Sequence, residues 1–278
     1  VSSTTVARAR AGRIVALSAA GAVLAVVALA AVAPGLLATH DPLLTDVRAT
    51  LQPPSAAHLF GTDQSGRDVY SRVVHGAARS VGIGLLATGL ALVVGVVAGS
   101  LSAVAPRFVD AAAMRVVDVL LAFPEFLVAL LVVAVLGPGA ANVALAVTLA
   151  AVPVYVRLAR AQTRSLAAAE HVEAARNIGV PAVLVHVRHV LPGVVGAVSV
   201  LATIGVGTSI LAAAGLSFLG LGPTEPTPEW GLMLSAGRNL LLQAPWVALF
   251  PGLAITATVV SISVVGRILR ARAEERGA

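Results

Sequence analysis

Six histidines, thirteen acids and nineteen arginines are the residues of this chain that could do chemistry, and what is missing narrows that chemistry at once. Cysteine is absent, so disulfides, thiolate catalysis and cysteine-ligated metals are excluded. Every basic residue is Arg. Without Lys there is no G-x-x-x-x-G-K-[ST] phosphate loop and no Schiff-base chemistry, so the chain does not hydrolyse ATP through a P-loop of its own. His40, His58, His75, His171, His186 and His189 all lie outside the long apolar runs, which leaves no Ser-His-Asp triad inside a membrane. His186 and His189, three apart, would share a helix face. A metal there would need further ligands, and the alternative is a pair of surface or docking histidines. Asp118 and Glu125 are the acids that fall within an expected span, in the cytoplasmic half of the third. A carboxylate in a span is costly and faces protein or water, so they read either as a proton or ion site or as polar contacts near one membrane face. An isolated pair near one face is not a relay across the bilayer. The residues thus predict no catalytic group and no metal site.

Composition dictates the elements that must carry these residues. Of the 278 residues 58% are hydrophobic and 12% charged, with a mean hydropathy of +0.94. Soluble domains run nearer about 45–50% apolar and about 25% charged, so this is a polytopic membrane protein. A spanning helix needs about 20 apolar residues at 1.5 Å each. Uncharged runs of that size occupy 14–39, 80–106, 126–156, 190–224 and 239–266. The third is too long for one span and is interrupted by the turn signal Gly137-Pro138-Gly139. It reads as the end of a helix starting near Met114 and the whole of another, giving six spans. The fold class expected is an all-α membrane protein. Its predicted organisation is a terminal segment 1–13, a first span 14–39, a loop 40–79 with an interfacial helix, a core 80–266 containing the polar loop 165–192, and a tail 267–278.

Arginine placement predicts orientation, because cytoplasmic loops carry the basic excess. Arg8, Arg10, Arg13, Arg107, Arg115, Arg157, Arg160, Arg164, Arg176, Arg188, Arg267, Arg270, Arg272 and Arg276 fall on one side, 14 in all. Arg48, Arg67, Arg72, Arg79 and Arg238 fall on the other. Both termini are therefore expected in the cytoplasm, and the net charge of +6 is a topology signal rather than a mark of nucleic-acid binding. The basic start, apolar run and Ala31-Val32-Ala33 resemble a secretory leader. The run is longer than a leader's about 7–15 residues, and Pro34 would follow the cut, so an uncleaved first span is expected.

Within the spans, Gly95 and Gly99 form a G-x-x-x-G pair suited to close helix packing. Pro124, Pro153 and Pro251 each remove one helical hydrogen bond and permit kinks. The segment 165–192 concentrates polar residues. Glu173 to Ile178 is helix-forming, Gly179 can end that helix, and Pro181 can occupy the first turn of the next. Ala174 and Ala175 leave a flat patch where another protein could approach. By spacing alone the segment reads either as a basic inner loop or as a docking site. On the other side, 59–80 opens with the turn signal Gly61-Thr62-Asp63. It continues as an amphipathic stretch with Val69, Tyr70, Val73 and Val74 on one flank and Asp68, Arg72 and Arg79 elsewhere, as expected of a helix lying along the interface. Arg67 and Asp68 would pair there with a neighbouring subunit or face water.

These residues carry a resemblance. Glu173-Ala174-Ala175, Gly179 and Leu191-Pro192 match the register of the EAA loop of bacterial ABC importer permeases, and Arg188-His189-x-Leu-Pro resembles the version in the dipeptide, oligopeptide and nickel group. Gly61-Thr62-Asp63-Gln64-Ser65-Gly66-Arg67-Asp68 with Ser71-Arg72 resembles the signature before span two of that group's C-type subunit. Asp118 to Pro124, Gly215 to Gly222, Trp230-Gly231, Pro245-Trp246 and Pro251-Gly252 resemble its later segments. The chain departs at Ser263-Val264-Val265-Gly266-Arg267, where the group has Asn-Leu-Leu-Gly-Asp.

The resemblance implies a type I importer permease fold in a bacterial plasma membrane. It also implies a sister permease, two cytosolic ATP-binding subunits holding ATP and Mg, and an extracytoplasmic substrate-binding protein, with no cofactor on this chain. Glu173, Ala174, Ala175, Gly179, Arg188, His189, Leu191 and Pro192 would dock the ATPases. Gly61, Thr62, Asp63, Gly66, Arg67, Asp68 and Arg72 would lie at the permease interface or in the outer loop. Di- or oligopeptides are the expected cargo, with nickel, haem or another small solute as alternatives. An ion-driven secondary transporter is a different reading, disfavoured by the near absence of charge in the spans.

Overall fold

A computed structural model of the chain describes residues 3–277, with side chains described over 15–271. The side chains of Arg8, Arg10, Arg13, Arg272 and Arg276 lie outside that range. The described residues are helical, apart from turns and one isolated extended pairing between Thr62 and Asp68. The helices are α1 (Ser3–Val32), α2 (Val69–Val104), α3 (Arg107–Leu121), α4 (Glu125–Leu136), α5 (Ala140–Ala167), α6 (Glu170–Asn177), α7 (Ala182–Val185), α8 (Leu191–Phe218), α9 (Trp230–Gly237) and α10 (Trp246–Gly277). A π-helical turn, His186–Val190, joins α7 to α8 without a break.

Five helical stretches are long and apolar enough to cross a membrane, and a sixth crossing is made if α3 and α4 count as one broken span. Those two meet at 91° across Ala122-Phe123-Pro124. Pro124 has no N–H for a continuing helix and pushes Phe123 away from helical backbone, so the run must break there. The third span, expected to start near Met114 with a kink permitted at Pro124, begins instead at Arg107 and bends at that proline into an elbow. The interfacial helix expected over 59–80 is likewise not a separate element. Residues 59–68 are turns, and Val69 opens a 36-residue helix. At 1.5 Å per residue it measures about 54 Å, well beyond the roughly 30 Å of hydrocarbon, so its first turns stand clear of the apolar layer.

The core forms where helices carry small residues. α2 lies against α5 so closely that a Cβ on Gly95 would collide with Tyr155, and one on Gly99 would sit 2.9 Å from the Ala159 Cβ. The G-x-x-x-G pair is a packing device, as expected. Ile83 and Ala87 of α2 meet Val133 of α4, Val143 and Val147 of α5 and Leu216 of α8 at mid-bundle. Val69, Val73 and Val74 pack instead with Trp230, Met233, Val247 and the α1 residue Ala30 at one end. At the other end Val172, Ala175, Val185 and Val194 gather around Ala159. Only 11% of the apolar window of α1 is buried, so its remaining surface belongs to lipid or to a neighbour.

Candidate functional site

The end that carries α6 presents a short helical strap. An eight-residue helix is marginal alone, so α6 must be seated by tertiary contacts. Val172, fully buried, and Ala175 supply them. Burying one Val fully is worth about 1.5–3 kcal/mol. Glu170 and Glu173 stand in the first turn and Arg176 in the last, each matching the helix dipole. The strap then turns on Gly179. Val180 N–H donates to the Ala175 carbonyl at 3.2 Å and Gly179 N–H to the Arg176 carbonyl at 3.0 Å. This is the Schellman termination, and it puts Gly179 at φ +84°, where a side chain is disfavoured. Pro181 is the N-cap of α7, one residue earlier than the first-turn position expected. The turn leaves Ile178 81% and Val183 76% exposed, and Val187 in the π turn is exposed as well. The flat Ala174-Ala175 patch does not form, because Ala174 is exposed while Ala175 faces the core.

Arg188 and His189 project from the π turn, both exposed, while Leu191 is half-buried and Pro192 exposed. The Pro192 ring would clash with the carbonyl four residues earlier in a regular helix, and the wider π turn just before it removes that conflict. Leu191 N–H accordingly donates to the His186 carbonyl, five residues back.

The strap hangs from a rigid base that the sequence reading missed. Asp110 on α3 is buried and accepts from Arg160 at 2.6 Å, Arg164 at 2.7 Å and Ser102 Oγ at 2.8 Å. One carboxylate thereby joins α2, α3 and α5. Arg157, Arg160 and Arg164 belong to α5, which continues to Ala167, rather than to a loop. Arg157 pairs with Asp118 across α3 and α5, so the Asp118 carboxylate makes the interhelical contact foreseen as one of its two readings. Glu125 instead faces a cavity of about 780 Å³ at the α3–α4 elbow, lined also by Leu121, Tyr155, Arg157, Gly205 and Thr208.

At the opposite end, Gly61 to Asp68 folds as a buckle. Asp63 Oδ1 accepts from the backbone N–H groups of Ser65 at 2.8 Å and Arg67 at 3.0 Å, while its Oδ2 takes the Arg67 Nε at 2.7 Å. Arg67 reaches on to Glu225 Oε2 at 2.7 Å, and Arg72 approaches the same oxygen at 3.3 Å. Arg72 also donates to the carbonyls of Pro42 and Pro226. Gly66, at φ +74°, lies so close to Asp46 that a Cβ would overlap its carbonyl. Thr62 donates to Ala49, and its own carbonyl accepts from Trp246 Nε1 at 3.0 Å. Asp68 caps α2 by accepting from Ser71 N–H at 2.7 Å. Arg67 and Asp68 thus find partners within the chain, and Arg72 is buried rather than displayed on a polar flank. Nearby, the fully buried Glu229 caps α9 through Gly231 and Leu232 and accepts from Ser80 at 3.1 Å. Glu225 and Glu229 carry no local pattern that could have marked them; only their distant partners do.

Residues 91–276 match the family described as binding-protein-dependent transport system inner membrane component. The chain is 40% identical to the dipeptide transport system permease protein of Alkalihalophilus pseudofirmus, over 84% of this chain and 80% of that protein. It is 44% identical to the glutathione transport system permease protein of Escherichia coli O1:K1, over 78% and 72%. It is 40% identical to the probable D,D-dipeptide transport system permease protein of Escherichia coli K12, over 84% and 78%.

Proposed function

The chain belongs to the binding-protein-dependent transport system inner membrane component family, and from that premise we propose that it conducts short peptides and takes its driving force from ATPases docked on the α6–α7 turn. It is a multi-pass permease of the ABC importer type. Three similar permeases are named for dipeptide, glutathione and D,D-dipeptide transport, which supports a peptide cargo. The termini and α6 face the cytoplasm in this reading, as the arginine distribution indicates.

The observation that carries the docking assignment is the exposed pair Ile178 and Val183 on a turn braced by the core. Two large apolar side chains held out on a rigid elbow favour burial by another protein. Glu173, Ala174, Gly179, Arg188 and His189 surround them and would form the rim, with Ala175, Leu191 and Pro192 shaping the strap from beneath. Two conformations of similar energy interconvert when a partner binds one of them better. ATP-driven closure of two cytosolic ATPases would supply that bias. The α6 strap would pass it to α5 and α8, and the Asp110 cluster would make the base move as one body. The elbow cavity would form this chain's half of the path, closed by a sister permease, with an extracytoplasmic binding protein delivering cargo at the buckle end.

Replacing Ile178 with Asp tests the assignment. Membrane insertion and pairing with the sister permease are expected to stay normal, while ATPase affinity falls roughly 30-fold, the equivalent of about 2 kcal/mol at an interface hot spot. Full ATPase retention and full uptake by Ile178→Asp would overturn it.

A further inference from the structure

Three residues of the segment 40–68 meet at the buckle end, and permease function uses none of their ligating capacity. One ligating atom each from His40, His58 and Asp68 lies within 4.8 Å of the other two. His58 Nδ1 is 3.0 Å and His40 Nδ1 3.8 Å from the same oxygen, Asp68 Oδ1. The second Asp68 oxygen is already held by Ser71 N–H, which fixes the carboxylate and aims Oδ1 at the two rings. The two histidines are also anchored through their backbones. His40 N–H donates to Ser71 Oγ at 3.0 Å, and His58 N–H donates to Ser55 Oγ at 3.1 Å. The rings lie 4.9 Å apart between centroids. Burial is graded, with the Asp68 side chain 2%, His58 18% and His40 38% exposed, so the cluster opens on one side to solvent.

We propose that His40, His58 and Asp68 form a binding site for a divalent transition-metal ion of the zinc class. Tetrahedral Zn²⁺ holds nitrogen and oxygen ligands at about 2.0–2.1 Å, which places neighbouring ligand atoms about 3.3 Å apart. The two separations from Asp68 Oδ1, 3.0 and 3.8 Å, bracket that value. Two imidazoles and one carboxylate suit Zn²⁺, Ni²⁺ or Cu²⁺ and do not suit Mg²⁺, which prefers an octahedron of oxygens. Three protein ligands leave a fourth position for water on the exposed side. Ligation through the Nδ1 atoms displaces two contacts, that of the Thr39 hydroxyl 3.0 Å from His40 Nδ1 and the His58–Asp68 hydrogen bond. The bound ion would tie the segment after α1 and the loop at residue 58 to the N-cap of α2, adding to the hydrogen bonds that Ser71, Arg72 and Asp68 already make there. This inference does not depend on which cargo the permease carries.

The 278-residue chain, purified in lipid nanodiscs after chelator treatment, would be dialysed against Zn²⁺ or Mg²⁺ and its bound metal counted by mass spectrometry. One Zn²⁺ per chain is expected, with no Mg²⁺, and a thermal midpoint that rises with Zn²⁺ concentration. His40→Ala, His58→Gln and Asp68→Asn should each weaken Zn²⁺ binding by at least about tenfold, since loss of a mere supporting partner costs a metal site about 10–100-fold. Asp68→Asn retains an oxygen to cap α2, so its effect is not that of an unfolded helix start. His171→Gln, far from the cluster, should bind as the wild type does. Co²⁺ should give the visible absorption of a four-coordinate ion in the wild type and lose it in all three variants. Undiminished binding in those variants, or no saturable binding by the wild type, would overturn the site and leave His58–Asp68 as a hydrogen bond alone.

Discussion

Arg67 shows at the scale of one residue how much a motif says and what it withholds. The signature Gly61 to Asp68 drew notice in the sequence, and the turn chemistry of its glycines and Asp63 was legible there. The destination of its charges was not, because Glu225 lies 158 residues away from Arg67. A surface arginine would pair with a partner protein, whereas this one has a side chain only 6% exposed and lies between Asp63 and Glu225. Breaking a buried pair by removing one partner costs about 3–5 kcal/mol, since a charge is left without compensation. Arg67→Met should therefore lower the thermal midpoint of the purified chain and its yield in membranes. Arg67→Glu should be worse, because it sets three carboxylates together. A normal midpoint for Arg67→Met, with loss confined to assembly with the sister subunit, would restore the interface reading. Asp110 teaches the same lesson at the other end. Its charge was visible, yet its two arginine partners are 50 and 54 residues away.

At the scale of elements, periodicity and punctuation carried most of the information. The Gly179–Pro181 turn, the pause at Gly137–Gly139 and the apolar runs all appear where the residue types demand them. Two features were not legible. The length of α2 was hidden because its first turns are amphipathic and its remainder apolar, so a hydropathy reading cuts one helix in two. The 91° elbow at Pro124 was visible only as a permitted kink, since the size of a bend depends on what packs against each arm. The strap supplies a test at this scale. Ala175 faces the core beneath α6, so Ala175→Glu should act by unseating the helix, seen as faster proteolysis within 165–192, and ATPase docking should fall as a consequence. Gly179→Ala should cost about 1–2 kcal/mol locally, through its positive φ alone, because a Cβ there meets open space. A change at Gly179 that disrupted the whole bundle would contradict this account.

At the scale of the whole molecule, the helices alternate between the Asp63–Glu225 end and the Asp110–Arg164 end. In the proposed orientation the arginine distribution places the Asp110–Arg164 end in the cytoplasm and the Asp63–Glu225 end outside. The chain lacks cysteine, so single cysteines can be introduced without background. Ser55 and Ser165 are both exposed, at opposite ends. A cysteine at Ser165 should react with an impermeant maleimide only from the cytoplasmic side, and one at Ser55 only from outside. Reaction of both from the same side would break the six-crossing topology. Whole-molecule function was legible further than whole-molecule assembly. Family membership follows from motifs written in one chain, whereas in the proposed reading the path and its closure would require surfaces on other chains.

The central claim is that this chain moves peptide by coupling to ATP hydrolysis on other subunits. The most direct measurement is uptake of a labelled dipeptide into proteoliposomes holding the chain, its sister permease, the ATPases and the binding protein. ATP is supplied or withheld on the α6 side, and ion gradients are held or collapsed. The account predicts uptake that requires ATP and the binding protein, survives ionophores, and falls with Ile178→Asp. Uptake by this chain without ATPases, abolished by ionophores and indifferent to Ile178, would contradict it.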